Sequence, residues 1–272
     1  MIGIGKNLFK ANVKAGGGAP TYDADALAYF TANTAITSAA DKNAINDFYL
    51  GLKSDAIYTK IKAMYLPLWS SDSSNKWNLV NPLDTDAAFR LKFATGMSHV
   101  SNGFNSNGTT GYANSYYSTN NIQNSNHLSI YIQTDVNEAK VDIGAYQGSP
   151  GRAFDIESRV SNVHYNGNFI SANFNTYANT NSKGFYINTR TTSTNQKSYK
   201  NGTLKATDTS SGTNNFNRPI YICCRNEQGT PSQYSTKIFS FISIGDNGLT
   251  DTEASNFYTR VNTLMTHFGI NV

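Results

Sequence analysis

Residues 237–244 read Lys-Ile-Phe-Ser-Phe-Ile-Ser-Ile, a short and almost continuously apolar run. Aromatic and β-branched residues in such a run predict a strand buried on at least one face. Gly245-Asp-Asn-Gly248 then turns the chain, and Thr250-Asp-Thr-Glu253 follows with the spacing of a capping box. There the Thr250 hydroxyl accepts from the Glu253 amide and the Glu253 carboxylate returns to the Thr250 backbone. Ala254, Phe257, Tyr258, Val261, Leu264, Met265 and Phe268 come next at helical spacing, and Gly269 sits where a C-cap glycine belongs. At about 1.5–3 kcal/mol per large side chain, that stripe offers roughly 10 kcal/mol gross if it docks. Undocked, a helix over 250–268 is marginal, because Thr, Asn and Tyr are poor helix formers. The helix is therefore expected to close the sheet that contains 237–244.

Outward from this end, most of the chain has strand character. From about residue 59, alternating or apolar runs appear at Phe89–Phe93, His127–Gln133, Lys140–Ile143, Ala153–Val160, Gly184–Thr189 and Ile220–Cys224. Asn201-Gly202, between Gln196–Lys200 and Thr203–Ala206, is the signature of a two-residue type I′ hairpin turn. Asn166-Gly167 is a second turn candidate. Many short strands with frequent turns predict a sandwich, and helices confined to the two ends exclude a βαβ pattern. The early helices are expected over Asp23 to about Asn33 and Ser38 to Leu52. The chain thus divides into an arm (1–20), a helical lead-in packed on the sandwich (21–58), and a β-sandwich with its closing helix (59–272).

Only 15% of the 272 residues are charged, and the net charge is +4 with no basic stripe, which argues against nucleic-acid binding. No stretch approaches a membrane span, and Met1–Lys14 lacks the apolar core of a signal peptide. The two cysteines, Cys223 and Cys224, are adjacent in an expected strand and point to opposite faces; buried or half-buried free thiols are expected, not a disulfide scaffold. In the arm, Ile2, Ile4, Leu8, Phe9 and Val13 alternate with Lys6, Lys10 and Lys14 among glycines. Five such apolar side chains suit a segment laid on a partner, so these residues are the expected attachment contacts.

The densest charged cluster is Arg152, Asp155, Glu157 and Arg159. Asp155 and Glu157 share one strand face, as paired carboxylates of some glycosidases do. Arg159 and Val160 follow where a third acid would stand a few residues on, so that face reads instead as an exposed surface with cross-strand ion pairs. His99, His127, His164 and His267 stand alone, so no metal site and no cofactor is expected; Asp84 and Asp86 read as turn residues rather than calcium ligands. Trp69, Trp77, Tyr112, Tyr116 and Tyr117 lie near loops, where rings act either as sugar-stacking platforms or as core. In a strand one ring of Tyr116-Tyr117 must face out, and these two are the candidate ligand-binding residues.

Lys76-Trp-Asn-Leu-Val-Asn-Pro-Leu-Asp84, Ala88-Phe-Arg-Leu-Lys-Phe93 and Asn107-Gly-Thr-Thr-Gly-Tyr-Ala113, taken with Ile244–Ala254 and the Asp23–Lys62 lead-in, carry a family resemblance. Over roughly residues 22–272 the chain resembles the laminin-G-like, concanavalin-type jelly rolls of tailed-bacteriophage structural proteins. The resemblance implies a jelly-roll β-sandwich with N-terminal helices and a closing helix. It also implies a virion location as a tail or head appendage, other virion proteins and a homo-oligomer as partners, and no transferable catalytic residue. The family often carries this module at the end of a longer fibre; here only about 20 residues precede it. Adhesion to a host glycan, without enzymatic turnover, is the expected outward role. A carbohydrate-active enzyme and a stand-alone carbohydrate-binding module are the rivals. The enzyme requires a third carboxylate within reach of Asp155 and Glu157.

Overall fold

The computed structural model describes residues 21–122, 124–149, 151–170, 174–212 and 216–272. Its helices are α1 (Ala24–Ala32), α2 (Ala39–Ser54), α3 (Asp72–Asn75) and α4 (Asp251–His267). The first strands are β1 (Ile61–Tyr65), β2 (Lys92–Phe93), β3 (Met97–Val100), β4 (Gly103–Ser106), β5 (Ala113–Ser118) and β6 (Asn126–Ile132). Then come β7 (Ile143–Gln147), β8 (Arg152–Val160), β9 (Val163–Ile170), β10 (Asn175–Ala178), β11 (Gly184–Thr192) and β12 (Asn195–Lys200). The last are β13 (Thr203–Asp208), β14 (Pro219–Ile222), β15 (Arg225–Glu227), β16 (Thr230–Ser232) and β17 (Phe239–Gly245).

Two sheets form the sandwich. One runs β13-β12-β11-β6-β17-β4-β3, with β1 also paired to β17; the other runs β10-β9-β8-β7-β14-β5-β2, with β15 and β16 attached at β7. Apart from the β15–β7 pair the named strands pair antiparallel. The fold is therefore mainly β, a jelly-roll type of sandwich with helices at both ends of the chain.

Three layers result. Between the sheets lie Leu128, Ile130, Ile132, Ile143, Ala145, Phe154, Ile156, Ile220, Ile222, Ile242 and Ile244. The outer face of the first sheet, through Tyr131, Phe185, Ile187, Tyr199 and Phe241, is covered by α1, α2 and α4. Strand β17 serves both cores, because a register shift between Phe239 and Phe241 sends Phe239 inward and Phe241 toward the helices. Helix α4 carries the expected capping box and buries Ala254, Phe257, Val261, Leu264 and Met265. The Phe257 ring meets Phe185 at 5.3 Å and Phe241 at 5.8 Å. Arg260 joins α4 to α2 through Asp55 at 2.8 Å, crossing Gly51, where a Cβ would come 2.7 Å from the Arg260 side chain.

Some expectations are corrected. Phe89–Leu91 is not strand: Phe89 sits in the left-handed region after a turn of 3-10 helix. Gly103–Ser106, within a stretch rich in Gly, Asn and Ser, is β4. Asn166-Gly167 does not turn but lies inside β9. Asn201-Gly202 does turn, with φ of 49° and 71°, joining β12 to β13. Lys237 precedes its strand and is wholly buried, 2.9 Å from Asp142. Both cysteines are free and buried, in the reversal between β14 and β15, with Cys223 at φ 66°.

Candidate functional site

Among the described residues the helices cover one sheet only, and the second sheet presents its outer face. Alternation decides what stands there. On β8, Phe154 and Ile156 point into the inter-sheet core, which turns Asp155 and Glu157 outward. On β7, Ile143 and Ala145 point inward, which turns Gly144 and Tyr146 outward.

Cross-strand pairing builds a row through Asp155. Gly167 opposes it on β9, Gly144 opposes it on β7, and Arg225 opposes Gly144 on β15. Both neighbours of Asp155 must be glycine. A Cβ on Gly144 would come 2.3 Å from the Asp155 Cβ, and one on Gly167 would come 2.6 Å from Asp155 Oδ1. The two glycines let β7 and β9 pack closely against either side of this carboxylate. The Gly167 amide donates to Asp155 Oδ1 at 3.1 Å, whereas Asp155 Oδ2 is buried and has no hydrogen-bond donor.

Arg225 faces that oxygen. Its guanidinium lies 4.0 Å from Asp155 Oδ2 and 3.5 Å from Glu227 Oε2, and stacks 4.6 Å above the Tyr146 ring. The Arg225 side chain is nine-tenths buried, and its Nε also lacks a partner. Glu227 is held by the Ser232 hydroxyl, which donates to it at 2.7 Å. Burial raises the Asp155 carboxyl above its ordinary range, against the pull of Arg225 and the Gly167 amide. Burial, then the Asp155 charge, pushes Glu157 up to about 8. The exposed ion-paired face expected for Asp155 and Glu157 is thus corrected: Asp155 is fully buried and Glu157 half-buried.

Tyrosines flank the row. Tyr165 opposes Glu157 and meets the exposed Phe174 edge-on at 6.0 Å. Tyr221, opposite Gly144 on β14, packs its ring 4.7 Å from that of Tyr112. Burial, with Tyr112, Cys224 and Tyr116 adding to it, pushes the Tyr221 hydroxyl up to about 12. Tyr116 is half-buried at φ 57° and belongs to this tyrosine group. Tyr117 does not: it is 3% exposed and points to the core side, with its ring 4.9 Å from Phe89. Trp69 and Trp77 pack on the helix-side core instead.

Asp84 and Asp86 are tied to Lys76 and Arg90, and among the described residues no cluster of His, Cys, Asp and Glu fits a metal ion. Ile2, Ile4, Leu8, Phe9 and Val13 lie outside the described residues. The sequence reading missed Arg225, Glu227 and Tyr146. The available signal was Gly144 inside the apolar run Ile143–Tyr146, since a glycine in a strand marks a close approach.

No protein-family model matches the chain, and no curated protein matches it. Among solved structures it is similar to a Trypanosoma rangeli sialidase in complex with sialic acid, with a TM-score of 0.55 at 11% identity, over 81% of this chain and 39% of that one. It is also similar to the binding domain of botulinum neurotoxin serotype D, with a TM-score of 0.52 at 11% identity, over 75% of this chain and 51% of that one. The chain spans about two fifths of the sialidase's length and half of the toxin domain's. At such identities the likeness establishes a shared β-sandwich fold.

Proposed function

We propose that this protein is a surface component of a bacteriophage virion whose sandwich binds glycan on its helix-free face, without turning it over. The observation that carries the glycan reading is the outer row itself. It combines a buried acceptor, Asp155 Oδ2, and a buried donor, Arg225 Nε, each without a hydrogen-bond partner, with half-buried tyrosines on both sides. Sugar hydroxyls supply both hydrogen-bond roles, and aromatic faces suit their C–H surfaces. The similar structures support the reading to the extent that one is a sialidase complexed with sialic acid and another a toxin binding domain. The virion assignment rests on the motifs shared with phage jelly rolls, and attachment through the segment that carries Ile2, Ile4, Leu8, Phe9 and Val13 belongs to it.

Two measurements test this. Calorimetric titration of the full chain with host surface polysaccharide is expected to show weak saturable binding and no release of reducing ends. Antibody labelling of purified phage particles is expected to place the protein on them. Labelling of host lysate alone would remove the virion assignment.

Hydrolysis is the second reading, favoured by one observation: Glu227, through Arg225, joins Asp155 and Glu157 as the third carboxylate that an enzyme requires. Turnover abolished by Glu157→Gln would establish it and displace binding alone.

A further inference from the structure

The outer row also specifies the charge of its ligand, an inference that rests on the glycan-binding reading and sharpens it. The groups around Asp155 on this face are Glu157 from β8, Arg225 and Glu227 from β15, Tyr146 from β7, Tyr165 from β9 and Ser232 from β16. Arg152 stands at the start of β8, toward the Gln147 end of β7. Further along β8, Arg159 is committed to Asp135 and Asn162. Three carboxyls therefore surround one guanidinium.

We propose that the face selects uncharged glycans, seating two adjacent hydroxyls between Asp155 and Arg225, and excludes sialylated and other anionic sugars. The 4.0 Å gap between the guanidinium and Asp155 Oδ2 is too long for a hydrogen bond. A hydroxyl entering it donates to Asp155 Oδ2, and its neighbour accepts from Arg225 Nε. Both buried groups are then satisfied, and the hydroxyls bring no charge into the crowded acids. A ligand carboxylate satisfies only the arginine. It leaves Asp155 Oδ2 without a donor and brings a full charge in among carboxyls of which burial already holds Asp155 and Glu157 toward the neutral form. Arg225 is also stacked on Tyr146 and drawn toward Glu227, so it is not free to turn toward an incoming anion.

The test is a glycan array carrying matched pairs with and without terminal sialic acid, probed with the full chain at pH 6. Neutral members are expected to bind, and sialylation of the same glycan to weaken binding by tenfold or more. Arg225→Leu is expected to abolish binding. Glu227→Gln, on a half-exposed side chain whose loss the fold tolerates, is expected to narrow the discrimination several-fold. Preference for the sialylated members, or unchanged discrimination in Glu227→Gln, would overturn the charge selection and leave glycan binding standing. No binding to any glycan by a chain shown folded by circular dichroism would overturn both. If Arg225→Leu does not fold, Glu227→Gln alone decides.

Discussion

Arg225 and Asp155 face each other across Gly144 at 4.0 Å, a charge pair without a hydrogen bond, on the sheet face that none of the described helices covers. Ion pairs elsewhere on this chain close to ordinary contact, such as Arg260 with Asp55 at 2.8 Å. The open geometry keeps a valence on each partner, and burial of the acids loads the face with protons.

That proton load sets a pH dependence. Glu157 is held up to about 8 in the folded chain, chiefly by burial and then by Asp155. A carboxyl raised on folding stabilises fully below its unfolded value, and that contribution is lost as pH rises through the folded value. Burial lowers His127 to about 4 and His164 to about 3, and these act in the opposite sense, costing stability as pH falls below about 6.5. The histidines are silent above that point, so between about pH 6.5 and 8.5 the carboxyls act alone among these groups. The melting temperature is expected to fall by roughly 2–6 °C across that window. In Glu157→Gln the fall should largely disappear. An equal fall in the variant, followed by differential scanning fluorimetry, would locate the titration elsewhere.

The glycines beside Asp155 give a mechanical prediction. Gly144 has φ 153°, and a Cβ there would also come 2.5 Å from the Phe154 carbonyl oxygen. Backbone cannot yield as a flexible side chain does, so Gly144→Ala combines overpacking with strain. A loss of roughly 2–4 kcal/mol is expected in urea unfolding. A midpoint within error of the parent would show that β7 can move away from β8.

The closing helix gives a third. Phe257 is fully buried among Phe185, Phe241 and His127. Phe257→Asp places a carboxylate there with no partner, and the chain is expected to lose its cooperative thermal transition. A circular dichroism melt within a degree or two of the parent would mean that α4 is dispensable for the sheet it covers.

These predictions mark what was legible in the sequence. The closing helix was legible because every local signal agrees: the Thr250–Glu253 box, the apolar stripe, and the run that became β17. The Asn201-Gly202 hairpin was legible because both residues must take positive φ. The same dipeptide at 166–167 misled, because there the glycine serves the carboxylate on the next strand, which only pairing reveals. Arg225 was not legible as a site residue. It reaches Asp155 only because the chain reverses at Cys223 and sends β15 parallel along β7. Alternation likewise gave the direction of Asp155 but not its burial, since the crowding comes from β7, β9 and β15 together.

The buried pair Lys237–Asp142 supplies the last prediction. Both side chains are fully buried, 2.9 Å apart, and Asp142 further accepts from the Ser158 amide at 2.6 Å and the Ser235 hydroxyl at 2.7 Å. The pair fixes the entry to β17 against the start of β7 and the middle of β8. Removing the cation alone strands a buried carboxylate, so Lys237→Met is expected to cost about 3–5 kcal/mol. Glu138, 3.3 Å from the same ammonium, tolerates the loss, because it is partly exposed and held by Ser235 and Thr236. Adding Asp142→Asn should restore much of the stability: the amide oxygen still accepts from Ser158, and the amide nitrogen can donate to the Ser235 hydroxyl. A double-mutant cycle read by urea unfolding is therefore expected to show a favourable coupling of about 1.5 kcal/mol or more. Additive losses would mean that Asp142 is held by its two hydrogen bonds rather than by the lysine's charge.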